Sequence, residues 1–302
     1  MSFANLKKNA GKGNFDQLKK SIADSKSSGY EKEEGYWALE VDKAGNGYAV
    51  IRFLPAPEGE ESPFVKMFSH TFKNEKTGKW YIENSLTTIG QEDPVAEANS
   101  IVWNSGKAGQ DQIRAEKRSR KTTYISNIMV ISDPKNPDND GKVFKYKYGV
   151  KIFQKIEGAI SPPPEFQDET PFDPFDFWAG ANFKLKARVV DKQRSYDKSE
   201  FEKPVPLFDD DGALETVYKS LPSLDALIAP SKFKSYDELK KKFNAVMGGS
   251  NAVYEEGGEA EARSTAKAPS KSEVSRKSDA KPEKDAADDD GDLAAYAKLL
   301  QD

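Results

Sequence analysis

Residues 117–148 read KRSRKTTYISNIMVISDPKNPDNDGKVFKYKY. A dense basic cluster runs into the apolar stretch TTYISNIMVIS (122–132), a Pro/Asn/Asp turn follows, and Lys then alternates with aromatic residues. β-branched and aromatic runs on either side of such a turn predict two strands. Side chains alternate across a strand. Phe144, Tyr146 and Tyr148 therefore share one face of KVFKYKY, and Lys145 and Lys147 share the other.

Working outward, strand signals dominate. YAVIRFLP (48–55), FVKMFSHTF (64–72) and GKWYIE (78–83) are short and rich in aromatic or β-branched residues. ANFKLKARVVD (181–191) alternates strictly, with Phe183, Leu185, Ala187 and Val189 on one face and Lys184, Lys186 and Arg188 on the other. AGNG (44–47) reads as a hairpin turn of Asn-Gly type. The clearest helix is 235–249, where Ser235 and Glu238 form a capping box and Gly248 stands at the stop. IFQKIEGAI (152–160) continues a strand as a helix, and FDPFDFW (172–178) is an irregular connection. Many short strands with few helices predict a mainly β fold with added helices (α+β), built on a small barrel.

Composition divides the chain into three. Residues 1–30 hold six Lys and two Asp and read as a basic arm; 31–249 hold all four Trp and form the folded body. Residues 250–302 turn to Gly, Ala, Ser, Glu and Lys and end in an acidic run with five Asp in 285–292. Such a tail cannot bury enough surface to offset its chain entropy. The chain has 302 residues, a net charge of -4 and a mean hydropathy of -0.77. It contains no Cys, which excludes disulfides and thiolate metal sites. No apolar run approaches the length of a membrane span, and the N-terminus lacks the apolar core of a secretory signal. The expectation is a soluble intracellular protein.

Catalytic chemistry is thin. One His, no Cys and no phosphate-binding Gly loop leave little to build on. Asp209–Asp211 would suit a metal-dependent nuclease, but the run reads as a solvated loop. Binding chemistry is thicker. Residues 113–121 carry five cations against one Glu, and 142–155 carry five Lys and no carboxylate. Lysines on any one strand commonly guard a solvated edge. Three basic stretches in an acidic chain point instead to a groove for a polyanion. Aromatic rings beside the charge favour unpaired bases, because stacking contributes roughly 1–3 kcal/mol per base and ignores base identity.

Several blocks occur in an order that resembles the single-stranded DNA-binding (helix-destabilising) proteins of T4-like bacteriophages. They are LEVDKAGNGYAVIRFLP, SHTFKNEKTGKWYIE, RKTTYISNIMVISDPKNPDNDGKVFKYKYGVKIFQKI, FWAGANFKLK, SYDKSEF and KFKSYDELKKKFNAVMGG, together spanning about residues 35–249. The resemblance implies an OB-fold core, cooperative binding of single-stranded DNA, and work in replication, recombination and repair in the cytoplasm of an infected bacterium. It implies DNA contacts at Arg120, Lys121, Tyr124, Lys145, Tyr146, Lys147 and Tyr196. The basic stretches add Arg118, Lys142, Lys184, Lys186 and Arg188 as candidates. An aromatic residue of the family is replaced by Ile125, and another is missing near Gln193.

The family's type member also holds structural zinc through one His and three Cys. His70 stands at the His position, but the Cys positions read Asn84, Asp93 and Ala96, so no zinc and no other cofactor is expected. The segment 84–114 is then held by packing around Ile89, Val95, Ile101, Val102 and Trp103. The family's N-terminal arm grips a neighbouring protomer through a basic-plus-hydroxyl motif. Here the arm has Lys7, Lys8 and Lys12 without the hydroxyl pair, and a closer copy, Arg120-Lys121-Thr122-Thr123, lies in the core. The acidic tail resembles one that recruits replication and recombination proteins. The rival class is an OB-fold RNA-binding regulator.

Overall fold

The computed structural model describes residues 35–163 and 170–248; the arm at 1–30 and the tail at 250–302 lie outside the described residues. The described residues fall into two compact units, 35–67 with 122–229, and 68–121 with 230–248.

The first unit is built on a sheet. The strands are β1 (Tyr36–Trp37), β2 (Gly47–Phe53), β3 (Phe64–Lys73), β4 (Trp80–Asn84), β5 (Lys121–Ser132), β6 (Val143–Tyr148), β7 (Asn182–Val190), β8 (Gln193–Ser195) and β9 (Glu200–Phe201). In the first unit the path runs β1-β6-β5-β2-β7-β8, and β9 pairs with β7. β1 joins β6 in parallel, while β6 on β5, β5 on β2 and β2 on β7 are antiparallel. The opening stretch thus folds as two neighbouring strands, with Tyr124 opposite Tyr148 and Ser126 opposite Tyr146. Residues 124–130 of β5 are buried on both faces, which accounts for an unbroken apolar run in place of alternation. The core gathers Trp37, Ile51, Phe53, Ile128, Phe183 and Leu185 with Ile152 and Ile156 from a helix, Val150–Ile160.

β7 keeps its predicted alternation only in part. Phe183, Leu185 and Ala187 are buried, but Val189 is 47% exposed because the strand runs past the core. The turn before β2 also differs from an Asn-Gly hairpin. Asp42 Oδ1 accepts from the backbone N–H of Ala44 and Asn46, and Gly45 takes the positive φ of 82°. Gly47 already begins β2, and a Cβ there would lie 2.9 Å from the Glu40 carbonyl.

The second unit carries more helix than its sequence suggests. β3 and β4 pair from Ser69–Asn84 to Lys73–Trp80. The helices, numbered through the chain, are α1 (Pro94–Asn104), α2 (Lys107–Ala115), α3 (the Val150–Ile160 helix of the first unit), α4 (Asp211–Lys219, also of the first unit) and α5 (Tyr236–Met247). Asp93 caps α1 by accepting from Val95 and Ala96 N–H, with Pro94 in the first turn. The predicted capping box opens α5 and Gly248, at φ 99°, ends it. The core is Phe72, Tyr81, Val95, Ala98, Phe243 and Val246. Val95 belongs to it as expected, but Ile101 is 58% exposed on the outer side of α1.

Candidate nucleic-acid interface

The cations of β6 stand on an aromatic ring. Pairing of β1 with β6 sets Tyr36 beside Lys145, and Lys145 N–H donates to the Gly35 carbonyl at 2.9 Å. The Lys145 and Lys147 ammonium groups lie 4.5 and 4.4 Å from the Tyr36 ring centroid. A ring quadrupole attracts a cation without cancelling its charge. Both lysines are half-buried along their stems, and Lys142, just before the strand, is exposed. Tyr36 was absent from the sequence candidates; its signal was a lone Gly-Tyr-Trp step, too short to read as a strand.

The opposite face of β6 is core. Tyr146 and Tyr148 stack at 5.5 Å, Trp37 meets Tyr146 edge-on at 5.4 Å, and the Tyr148 hydroxyl shares a 2.8 Å hydrogen bond with Ser126. Burial pushes the Tyr148 phenol well above its usual range. Tyr124 lies flat on Phe153, with centroids 3.8 Å apart and planes 4° from parallel. Tyr124 and Tyr146 are 5% and 4% exposed. As platforms for a base they therefore differ from expectation: Phe153 covers one face of Tyr124, and a base reaches that face only if Phe153 moves. Lys66 approaches the Tyr124 ring at 5.8 Å. Tyr196 is half-buried against the same core.

The predicted cationic face of β7 is corrected by what folds over it. Lys184 pairs with Glu202 at 2.9 Å, Lys186 with Glu200 at 2.8 Å, and Arg188 grips Asp197 through Nε at 2.9 Å and Nη2 at 2.5 Å. β8 and β9 return antiparallel to β7 and deliver these carboxylates. The Arg188 fork, with the Ser195 hydroxyl, holds the Asp197 carboxyl far below its ordinary range. Glu200 and Glu202 are lowered too, first by hydrogen bonds from Lys186 and Lys184.

In the second unit the basic run divides. Arg120 is exposed, lies 3.8 Å from the Phe68 ring centroid and donates to Thr87 Oγ1 at 3.3 Å. Lys121 is half-buried at the start of β5. Arg118, expected at the interface, is 3% exposed; it bonds Glu116 at 2.9 Å and lies over the Phe243 ring. Its place is structural.

His70 is buried, with Nδ1 3.3 Å from the Arg118 carbonyl and Nε2 3.7 Å from Asp93 Oδ1. Burial lowers its pKa, outweighing the attraction of Asp93. Nε2 has no hydrogen-bond partner, as a ring nitrogen facing a metal position would. The rest of the set does not fit zinc. Asn84 is exposed, Ala96 has no donor atom, and Asp93 accepts from Leu86, Val95 and Ala96 N–H with both oxygens engaged. Within Asp209–Asp211, two serve structure: Asp210 caps α4 and Asp211 accepts from the Trp178 indole at 3.1 Å.

A family model described as "gp32 DNA binding protein like" matches residues 45–247. The chain is 40% identical over 233 residues to a single-stranded DNA-binding protein of Enterobacteria phage T2, covering 75% of this chain and 74% of that protein. It is also 40% identical over 229 residues to one of Enterobacteria phage T4, covering 74% and 73%. A third, of Enterobacteria phage RB70, is 47% identical over 107 residues, 34% of this chain and 86% of its own length.

Proposed function

This chain belongs to the gp32-like family of DNA-binding proteins, which bind and do not catalyse, and from that premise we propose that it coats single-stranded DNA cooperatively and without sequence preference. The setting is phage DNA replication, recombination and repair in the cytoplasm of the infected host. The carrying observation is the pair Lys145 and Lys147 held on Tyr36 at the edge of the first unit. Ammonium groups reach phosphates while a ring alongside offers a face to a base. Lys142 extends this strip along the chain, and the second unit, taken by itself, offers Arg120 and Lys121 as proposed phosphate contacts. The first unit's strands are the OB-fold core. The acidic tail, 250–302, recruits replication and recombination proteins, and the arm, 1–30, joins neighbouring copies along the strand. No helix among the described residues is long and apolar enough to cross a membrane.

The test is a fluorescence titration with oligo(dT) at several salt concentrations. Affinity should fall with a slope of about -0.7 in log K against log salt per phosphate neutralised. A salt-insensitive affinity overturns the reading. Matched RNA oligonucleotides should bind no better than DNA; a preference for RNA would indicate a 2′-hydroxyl reader instead. The second unit holds its fold without zinc on the packing of Phe72, Tyr81 and Phe243, so EDTA should leave Tm unchanged. One tightly held zinc per chain would contradict this.

A further inference from the structure

The first unit carries a second concave surface, whose lining includes none of the β6 cations. It is a pocket of about 450 Å³ walled by Phe177, Trp178, Leu214 and Tyr218. Trp178 is 57% exposed, an unusual setting for a large ring. It is also locked. Its backbone N–H donates to Asp176 Oδ1 at 2.7 Å and its indole to Asp211 Oδ1 at 3.1 Å. Behind this wall the buried Arg52 donates through Nη2 to the carbonyls of Asp176, Phe177 and Val205 at 2.9, 3.4 and 3.0 Å. An exposed aromatic wall fixed from behind by a buried cation is a preformed surface, which spares a ligand the cost of ordering it.

The rim is uniformly acidic. Asp173, Asp176, Asp211 and Glu215 surround the apolar floor, and among the described residues the lining holds no Lys, Arg or His. The hydrogen bonds of each carboxylate use a single oxygen: Asp173 Oδ1 takes Phe175 N–H, and Glu215 Oε1 takes the Lys219 ammonium. Glu215 is thus already paired with a cation, whereas Asp173, Asp176 and Asp211 accept only from backbone or indole N–H groups and keep their charge without a cationic partner among the described residues. The matching ligand is a peptide with an apolar side chain next to lysines and no carboxylate nearby. Residues 1–15, MSFANLKKNAGKGNF, have that chemistry: Phe3 and Leu6 beside Lys7 and Lys8, and no acidic residue before Asp16. The lysines of 250–302 are interspersed with Glu and Asp, and 164–169, PEFQDE, is acidic.

We propose that this pocket receives residues 3–8 of a second copy of the chain, with Phe3 or Leu6 against Trp178 and Lys7 and Lys8 on the carboxylate rim. The proposal rests on the reading that the arm joins neighbouring copies on DNA, and it says where on the neighbour the arm is held. A shared strand raises the local concentration of one copy about the next, so a weak contact suffices there.

The chain has no Cys, so a cross-link between introduced cysteines is unambiguous. One full-length chain carries Lys8→Cys and another carries Glu215→Cys; a short bismaleimide joins them with and without long oligo(dT). The control partner carries Lys43→Cys, in the exposed turn at the opposite end of β2 from Arg52. The expected result is a cross-linked heterodimer at least about tenfold above the control on long oligo(dT). It should drop several-fold when Asp173→Asn and Asp211→Asn are added, since Asn keeps the accepting oxygen and removes only the charge. A heterodimer yield equal to the control on DNA that is demonstrably bound overturns the pocket and leaves DNA binding standing. So does a doubly substituted chain, Lys8→Cys with Glu215→Cys, that cross-links only within itself. Failure to bind oligo(dT) at all removes the functional reading by its own titration.

Discussion

β6 and β7 have the same pattern in sequence and opposite fates in the fold. Each alternates buried and cationic residues: Lys145 and Lys147 on β6, Lys184, Lys186 and Arg188 on β7. On β7 every cation meets a carboxylate, Glu202, Glu200 or Asp197. On β6 the two ammonium groups share the face of Tyr36. A carboxylate partner offsets the charge that a phosphate would recognise; a ring orients an ammonium group without itself offsetting its charge. Counting cations along a strand therefore overstates a binding face. What decides is which element pairs next to it, a Gly-Tyr-Trp strand in one case and an acidic return in the other.

The largest expected effect breaks this contrast directly. Lys145→Gln with Lys147→Gln should lower affinity for oligo(dT) roughly 25-fold at 0.1 M salt, and the salt slope should shrink by about 1.4, two phosphates at about 0.7 each. Lys184→Gln, Lys186→Gln and Arg188→Gln together should change affinity by no more than about threefold, despite removing more charge. Equal losses from the two sets would abolish the distinction. Second in size is Tyr36→Leu, which keeps apolar bulk under the lysines and removes the stacking face. A loss of about 1 kcal/mol in binding, the lower end for a base stacked on a ring, is expected if a base stacks there, with the salt slope unchanged. A changed slope with no other loss would mean that the ring only positions the lysines.

These outcomes bear on what could be read beforehand. The β7 alternation and the α5 capping box were legible because a period of two and a Ser-x-x-Glu step are local signals. The three buried positions Phe183, Leu185 and Ala187 follow from the first, and the Ser235 cap from the second. α1 carries little periodic signal, because only Pro94, Val95 and Ala98 of its eleven residues are buried, and the Asp93-Pro94 start is its one local mark. α4 was hidden in a run of three Asp, where only Leu214 and Val217, three apart, face the core. The ion pairs of β7 were illegible in principle. Glu200 and Glu202 lie 14 to 18 residues from their lysines, and only the β8–β9 return makes them neighbours. Tyr36 is the converse case, distant in sequence from Lys145 and adjacent only through parallel pairing.

A smaller effect sharpens the contrast from the other side. Glu200→Gln with Glu202→Gln should release Lys186 and Lys184 and make β7 resemble β6. Affinity for oligo(dT) should rise about threefold at low salt, with a slope steeper by up to about 1.4, and the gain should vanish in high salt. No change in slope would mean that β7 faces away from the bound strand whatever its charge.

The smallest effect is a pH dependence of the β7 pairs. Asp197, Glu200 and Glu202 have pKa values lowered by their partners, while Lys184 and Arg188 are raised by the same contacts. A lowered carboxylate pKa means that the pair is intact above the ordinary value of about 4 and is lost only as pH falls through the folded value. These pairs are surface-exposed, so each adds little to stability, and their consequence is read in binding. Between pH 7 and 5 the three carboxylates stay charged, and the affinity ratio of the native chain to the Lys184→Gln, Lys186→Gln, Arg188→Gln variant should stay flat. Below about pH 4 protonation begins to uncover the cations, first where the partner holds the carboxylate least, and the ratio should climb modestly while near-UV circular dichroism still reports a folded core. A β7 ratio that already climbs between pH 7 and 5 would mean that the carboxylates are not held by their cations, and the asymmetry between the two strands would lose its electrostatic basis.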